Sequence, residues 1–316
     1  LGDVYKRQMS TESPRLLVIG LDGGTFSILR DSPFARYMPH LNSLAGQGAA
    51  GELRSTTPPV TASAWTSFAT GKQPGKHGVF GFLLPPSMST EGAFRGRRRV
   101  SWPLANSTHI DGRSFWRMLG EKGKRVVVLE VPMYHPPEDV NGVMVSDKIR
   151  MGAKDATFPL DLEESLVQNG VLSPRALRKQ GLLDGLSHGQ EYIEHLSRHI
   201  ALKEKLDIHI MKNYDWNCFV TVYLELDVFL HHFWKYVDPQ HRQYDSRSAS
   251  KLQHAMHLFF SRLDEAIHNL TTNAGDDVVV MLVSDHGFGP AERIFYVNTW
   301  LARSGFQERR KNLANK

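Results

Sequence analysis

A chain of 316 residues and 35.7 kDa, with 41% hydrophobic and 22% charged residues, can bury a core, and its 26 Gly and 16 Pro follow no collagen-like period. Thirty-eight basic residues against 33 acidic ones leave a formal charge of +5, a mild excess; with no aromatic-interleaved basic motif, specific nucleic-acid binding is not expected. Apolar runs such as Val278 to Val283 are strand length, far short of the roughly 18 to 20 residues of a spanning helix, and the lone Cys218 excludes an internal disulfide or a cysteine-rich zinc site, so the expected compartment is the cytoplasm.

Leu1 to Gln8 precede Met9, and Asp3-Val4-Tyr5-Lys6-Arg7-Gln8 resembles the translation of a sequencing adapter, so residues 1–8 are read as a non-native leader. Leu16 to Leu21 is a buried-strand pattern running into Asp22-Gly23-Gly24. His40 to Ala45 has helical spacing, and Ala49 to Leu53 is read as a strand. Pro58 and Pro59 break the chain before a helix that a hydroxyl residue opens, with Ala64 to Phe68 at its centre and Gly71 at its end. Pro85 to Asn106, rich in Arg, Gly and Ser, is an inserted loop, and its Arg95, Arg97, Arg98 and Arg99 are read as solvated. Ser114 to Glu121 predicts a helix, Arg125 to Val131 a strand, and Met151 to Gly189 a second insertion forming a small helical cap. Tyr192 to Met211 and Ser248 to Asn269 predict long helices on either side of the strand Cys218 to Leu224, which leads to Asp227 and His231. Val278 to Ser284 is a strand running into Asp285-His286-Gly287, and Asn298 to Leu301 starts an amphipathic helix. The expected architecture is α/β, a mostly parallel sheet flanked by helices, because runs apolar at consecutive positions suit strands covered on both faces. It is read as one domain over residues 9–316, with a C-terminal portion expected to be missing.

Open α/β sheets bind ligands at the carboxyl ends of their strands, and three such ends here carry acid or histidine. A single acid after a strand is ordinarily a turn or cap residue; three together, two of them with His, match the neutral imidazole and carboxylate donors of a catalytic zinc. Asp227 and His231, four apart, share a helix face and can hold one ion, although Phe229, Phe233 and Trp234 equally allow a core histidine there. His232 is expected to point away. Thr61 is either the N-cap of its helix or a nucleophile at a helix N-terminus, where free N–H groups favour a phosphate. No P-loop is present, no GxGxxG follows a strand, and no GxSxG stands as a strand-to-helix elbow.

In order, Leu21-Asp22-Gly23, Thr61 with Thr70-Gly71, Pro74 and His77-Gly78, then Asp227 with His231, then Asp285-His286-Gly287 resemble the type I phosphodiesterase/nucleotide pyrophosphatase family of the alkaline phosphatase superfamily. Met38-Pro39-His40-Leu41-Asn42-Ser43-Leu44 and Val297-Asn298-Thr299-Trp300-Leu301 agree, and the match runs from Leu16 to Leu301. The resemblance implies an alkaline-phosphatase-like fold and metal-dependent hydrolysis of a small phosphate ester through two divalent ions about 4 Å apart, zinc or alternatively manganese. By this analogy Asp22, Thr61, Asp285 and His286 surround one ion and Asp227 and His231 bind the other. Thr61 would form a phospho-threonine that water then hydrolyses. Two departures stand out. Ala64 occupies the position where nucleotide-cleaving members commonly have Asn, and no His follows His286, which leaves the second ion two protein ligands instead of three and predicts weak binding and little activity. A phosphoglycerate-mutase-like phosphotransferase is disfavoured by Thr61, a sulfatase by the lack of C/S-x-P-x-R, and a non-catalytic binding protein on the same fold remains the alternative of another class.

Overall fold

The computed structural model describes residues 14–85, 102–172 and 189–307. The apolar runs form β1 (Arg15–Leu21), β2 (Val126–Leu129), β3 (Gly142–Val145), β5 (Cys218–Tyr223) and β6 (Val278–Val283), all parallel where they pair, while β4 (Thr157–Phe158) runs antiparallel to β3. Their order is β4-β3-β2-β5-β1-β6, with Val18 of β1 level with Val220 of β5 and Met281 of β6. The helices are α1 (Pro39–Gln47), α2 (Thr61–Thr70), α3 (Phe115–Glu121), α4 (Leu162–Gln168), α5 (Gln190–Asn213), α6 (Glu225–Val237), α7 (Ser246–Ala274) and α8 (Val297–Arg303), besides isolated turns.

Successive strand residues face opposite ways, so the sheet carries two cores. Leu17, Ile19 and Leu21 point with Phe219 and Tyr223 into the larger one, built with α5, α6 and α7, where Phe229 and Phe259 stack at 4.3 Å. Val18, Val126, Val128, Val220 and Val222 face Trp65 and Trp116 on the other side. The mostly parallel sheet with helices on both faces is thus the expected architecture.

Some local expectations fail. Ala49 to Leu53 is exposed irregular chain rather than a strand, since among the described residues β6 pairs with β1 alone and the run, flanked and interrupted by Gly48 and Gly51, gains no partner. β3 and β4 were not foreseen. They extend the sheet by four and two residues, and part of the expected cap folds as β4 and α4, whose Leu162 and Leu166 join the larger core. Residues 173–188 of that segment, and 86–101 of the Arg-rich insertion, lie outside the described residues; Leu83 and Leu104, flanking the latter, form an antiparallel bridge.

Gly142 is a position where the backbone admits no side chain. Its φ is 149°, and a Cβ there would strike the Val126 carbonyl across the β2–β3 ladder. Gly142→Ala is therefore expected to cost on the order of 2 to 4 kcal/mol, seen as a lowered urea midpoint; an unchanged midpoint would show that the ladder relaxes freely.

Candidate metal centre

β1, β5 and β6 end at the same edge of the sheet, and the chain places an acid just beyond each. Asp22 follows β1 directly, Asp227 sits in the first turn of α6 with His231 one turn on, and Asp285-His286 follow β6. Gly23, at φ 68°, keeps the turn after β1 narrow: a Cβ there would lie 3.1 Å from Asp227 Oδ1. Its N–H donates to Asp285 Oδ1 at 3.2 Å, tying the ends of β1 and β6 together.

Thr61 is the first residue of α2 and not its cap. The capping position is Val60, and Ser63 Oγ donates to the carbonyls of Pro58 and Val60. The Thr61 hydroxyl is left facing the acids, 3.3 Å from Asp22 Oδ1 and 3.1 Å from His286 Nε2. His286 Nε2 lies 3.5 Å from Asp22 Oδ1, 3.4 Å from Asp285 Oδ2 and 3.9 Å from Asp227 Oδ1. His231 Nε2 is 3.4 Å from Asp227 Oδ1, with its ring edge-on to Phe288. All six residues singled out in the sequence thus meet in one place, the tightest group being Asp22, Asp285 and His286, which can each offer an atom within 4.8 Å of the others.

Three carboxylates brought together out of water repel one another. Burial, then the charges of Asp285 and Asp227, holds the Asp22 carboxyl well above its ordinary range, and burial also raises Asp285. The Asp227 carboxylate, 3.4 Å from the ring nitrogen, raises His231. Asp285 Oδ2 and Asp227 Oδ1 are buried without a hydrogen-bond partner. Orphaned carboxylate oxygens converging with an imidazole fit a divalent ion of the zinc class, which would satisfy them and cancel the repulsion. A carboxyl raised in the folded state contributes stability below its unfolded value, near 3.8, that is lost as pH rises through the folded value. Metal-stripped protein is accordingly expected to lose thermal stability from about pH 4 towards neutrality, and zinc to restore more of it the higher the pH. Unfolding curves in chelator and in zinc that run parallel across pH would refute this.

A cavity of about 960 Å³ opens over the cluster. Its other walls include Phe82, Met151, Trp234 and Phe288, with Glu130, Lys148, Arg150 and Glu225; His232 borders it too, its ring packed edge-on against Tyr192 at 4.9 Å. Below lies a buried charge network. Glu130 accepts from Arg150 Nε at 2.6 Å and pairs with Lys203 Nζ at 3.3 Å; Lys203 reaches Asp207 Oδ1 at 3.4 Å, and Asp207 Oδ2 accepts from Thr221 and Tyr223. Burial opposes its ionisation, yet Arg150 and Lys203 keep the Glu130 carboxyl below its usual range. Burial instead pushes Glu225 up to about 7. The sequence reading missed this network and the hydrogen bond from Trp65 Nε1 to Asp22 Oδ2, 2.8 Å long. For Glu130 the signal was present: it is an acid at the carboxyl end of a strand.

Residues 16–315 match the family model for type I phosphodiesterase/nucleotide pyrophosphatase. No curated protein matches the chain. Among solved structures, phosphonoacetate hydrolase from Sinorhizobium meliloti 1021 is similar in its complexes with phosphonoformate and with phosphonoacetate, each at TM-score 0.59 and 15% identity over 93% of this chain. The chain spans 63% of the length of that structure. A putative sulfatase from Bacteroides fragilis matches more loosely, at TM-score 0.41 and 14% identity over 88% of this chain and 64% of its own. The described helices include none long and apolar enough to cross a membrane.

Proposed function

Because this chain belongs to the type I phosphodiesterase/nucleotide pyrophosphatase family, we propose that it is built to hydrolyse a small phosphoric ester with Thr61 as nucleophile. The observation that carries this reading is the convergence of Thr61, Asp22, Asp227, Asp285 and His286 from separate segments, with contacts to His286 Nε2 of 3.1 to 3.9 Å. Asp22, Asp285 and His286 would hold one divalent ion beside Thr61, and Asp227 with His231 a second. Such ions, when bound, stabilise charge on the attacking and leaving oxygens of an in-line displacement.

The chain's own residues do the rest. Thr61 Oγ1, unspent on capping, is presented to the substrate phosphorus, with its hydroxyl between Asp22 Oδ1 and His286 Nε2. The N–H groups of the first turn of α2 have no acceptor within the helix and point out of the end that carries Thr61, where they and the helix dipole favour the phosphoryl oxygens. Ala64 lacks an amide to hold such an oxygen, so this chain has no side chain at that position to orient a nucleotide. The apolar wall of Phe82, Trp234 and Phe288 accommodates the leaving group.

The test is turnover of an aryl phosphodiester, a phosphomonoester, a phosphonate and a sulfate ester with zinc or manganese. Hydrolysis of a phosphoric ester is expected; hydrolysis of the sulfate ester alone, or of nothing with metal bound, overturns the proposal, the second result favouring a binding protein on this fold. With His231 largely exposed and, among the described residues, Asp227 the one acid paired with it, the second ion is expected to bind weakly. Metal analysis giving two tightly held equivalents would contradict that.

A further inference from the structure

Gly20 on β1 and Asp22 just past its end, where the Asp22 N–H still donates to the Tyr223 carbonyl at 3.0 Å, stand two apart and so face the same side of the sheet. At Gly20 the missing side chain leaves a slot: a Cβ there would run into Cη2 of Trp65 and lie 2.9 Å from Cγ2 of Val222. The fully buried Trp65 fills the slot with its six-membered ring, and its indole N–H donates to Asp22 Oδ2 at 2.8 Å. Phe68 lies edge-on to the ring at 5.5 Å, and Phe115 in turn packs edge-on against Phe68 at 5.4 Å. Trp65 follows Thr61 by four residues on α2, one helical turn, so the hydroxyl and the indole are presented to Asp22 by the same face of one helix. The two carboxylate oxygens consequently have different neighbours. Oδ2 is taken by the indole, and Oδ1 faces Thr61 and His286.

We infer that Trp65 is a positioning residue: its N–H reserves Oδ2 of Asp22, so that this carboxylate engages a divalent ion through Oδ1 alone, and it locks the register of α2, hence Thr61, to the ion. The inference rests on the metal-centre reading above. An outer hydrogen bond of this kind fixes the orientation of a ligating carboxylate, and its removal typically weakens metal binding about 10- to 100-fold. Without the N–H, Oδ2 would be a buried oxygen lacking a donor and would turn towards the ion, changing one-oxygen into two-oxygen ligation.

The experiment compares the unmodified chain with Trp65→Phe, which keeps the ring and removes the N–H, Gly20→Ala, which expels the ring from its slot, and Phe68→Leu, which loosens packing but leaves the N–H. Zinc affinity is read by chelator competition, ligation by the visible spectrum of the cobalt-loaded protein, and folding by thermal unfolding in chelator. Trp65→Phe and Gly20→Ala are expected to bind zinc about 10- to 100-fold more weakly and to shift the cobalt spectrum, with Phe68→Leu matching the unmodified chain. If the unmodified chain binds zinc and Trp65→Phe binds it equally with an unchanged cobalt spectrum, the role of Trp65 is overturned while the metal centre stands. Equal loss in Phe68→Leu overturns it too, since packing alone would then suffice. If the unmodified chain takes up neither metal, the metal-centre reading itself falls, and this inference with it. Gly20→Ala decides the matter should Trp65→Phe fail to fold.

Discussion

Thr61→Ala is expected to lower kcat/KM for any ester the protein hydrolyses by roughly 10³-fold or more, at least about 4 kcal/mol of transition-state stabilisation. The change removes a hydroxyl and a methyl group from a side chain that caps nothing, so thermal stability should stay close to that of the unmodified chain. That separation makes the result diagnostic. A nucleophile acts only in the reaction, whereas a structural threonine would betray itself in the unfolding curve. Thr61→Ser, which keeps an oxygen at the same place, should retain part of the rate, and acid-stable phosphate trapped on residue 61 during turnover should vanish in the alanine variant. Full activity in Thr61→Ala would remove the residue from the mechanism altogether.

The largest expected effect on stability is at Lys203. Its side chain is completely buried, holds Glu130 and Asp207 at 3.3 and 3.4 Å, and lies over the Tyr223 ring at 5.0 Å. Lys203→Met nearly matches the length but takes the cation from the buried Asp207 and leaves Glu130 to Arg150, and breaking a buried pair from one side typically costs about 3 to 5 kcal/mol. That is a large part of the 5 to 15 kcal/mol by which domains are ordinarily stable. Urea unfolding should show it, and pairing the change with Asp207→Asn should recover part of the loss, because the orphaned negative charge is then gone. A loss below about 1 kcal/mol would mean that water or rearrangement compensates the acids. The network lies beneath the cavity that Glu130 and Arg150 line, so its integrity also fixes the floor of that cavity.

Much of the site was legible because it obeys a rule of topology that a sequence displays. Asp22, Asp227 and Asp285 follow strands whose apolar runs are long enough to recognise, and parallel strands bring their carboxyl ends to one edge. Thr61 was legible as a hydroxyl after two prolines, but that it is the first residue of α2 and not its cap shows only in the structure, where Val60 takes the capping position. β3 and β4 were hidden because four and two residues are too short to show a period, and Ala49 to Leu53 misled because composition cannot reveal that an edge has no partner. The pairing of Trp65 with Asp22 and the Glu130–Lys203–Asp207 network join residues far apart in the chain through side-chain direction, which no local pattern encodes.

The place of β6 in the sheet has a kinetic meaning. β1 and β5 each lie between two strands, but β6 hydrogen-bonds, among the described residues, to β1 only, and its Val279 and Met281 are 52% and 41% exposed. Asp285 and His286 hang from this strand. A local opening that peels β6 from β1 needs far less free energy than global unfolding, yet it carries off two of the three closest donors. Amide protons of β6 should therefore exchange with solvent faster than those of β5, and zinc should slow them selectively, the ion acting as a tie on an edge strand of the sheet.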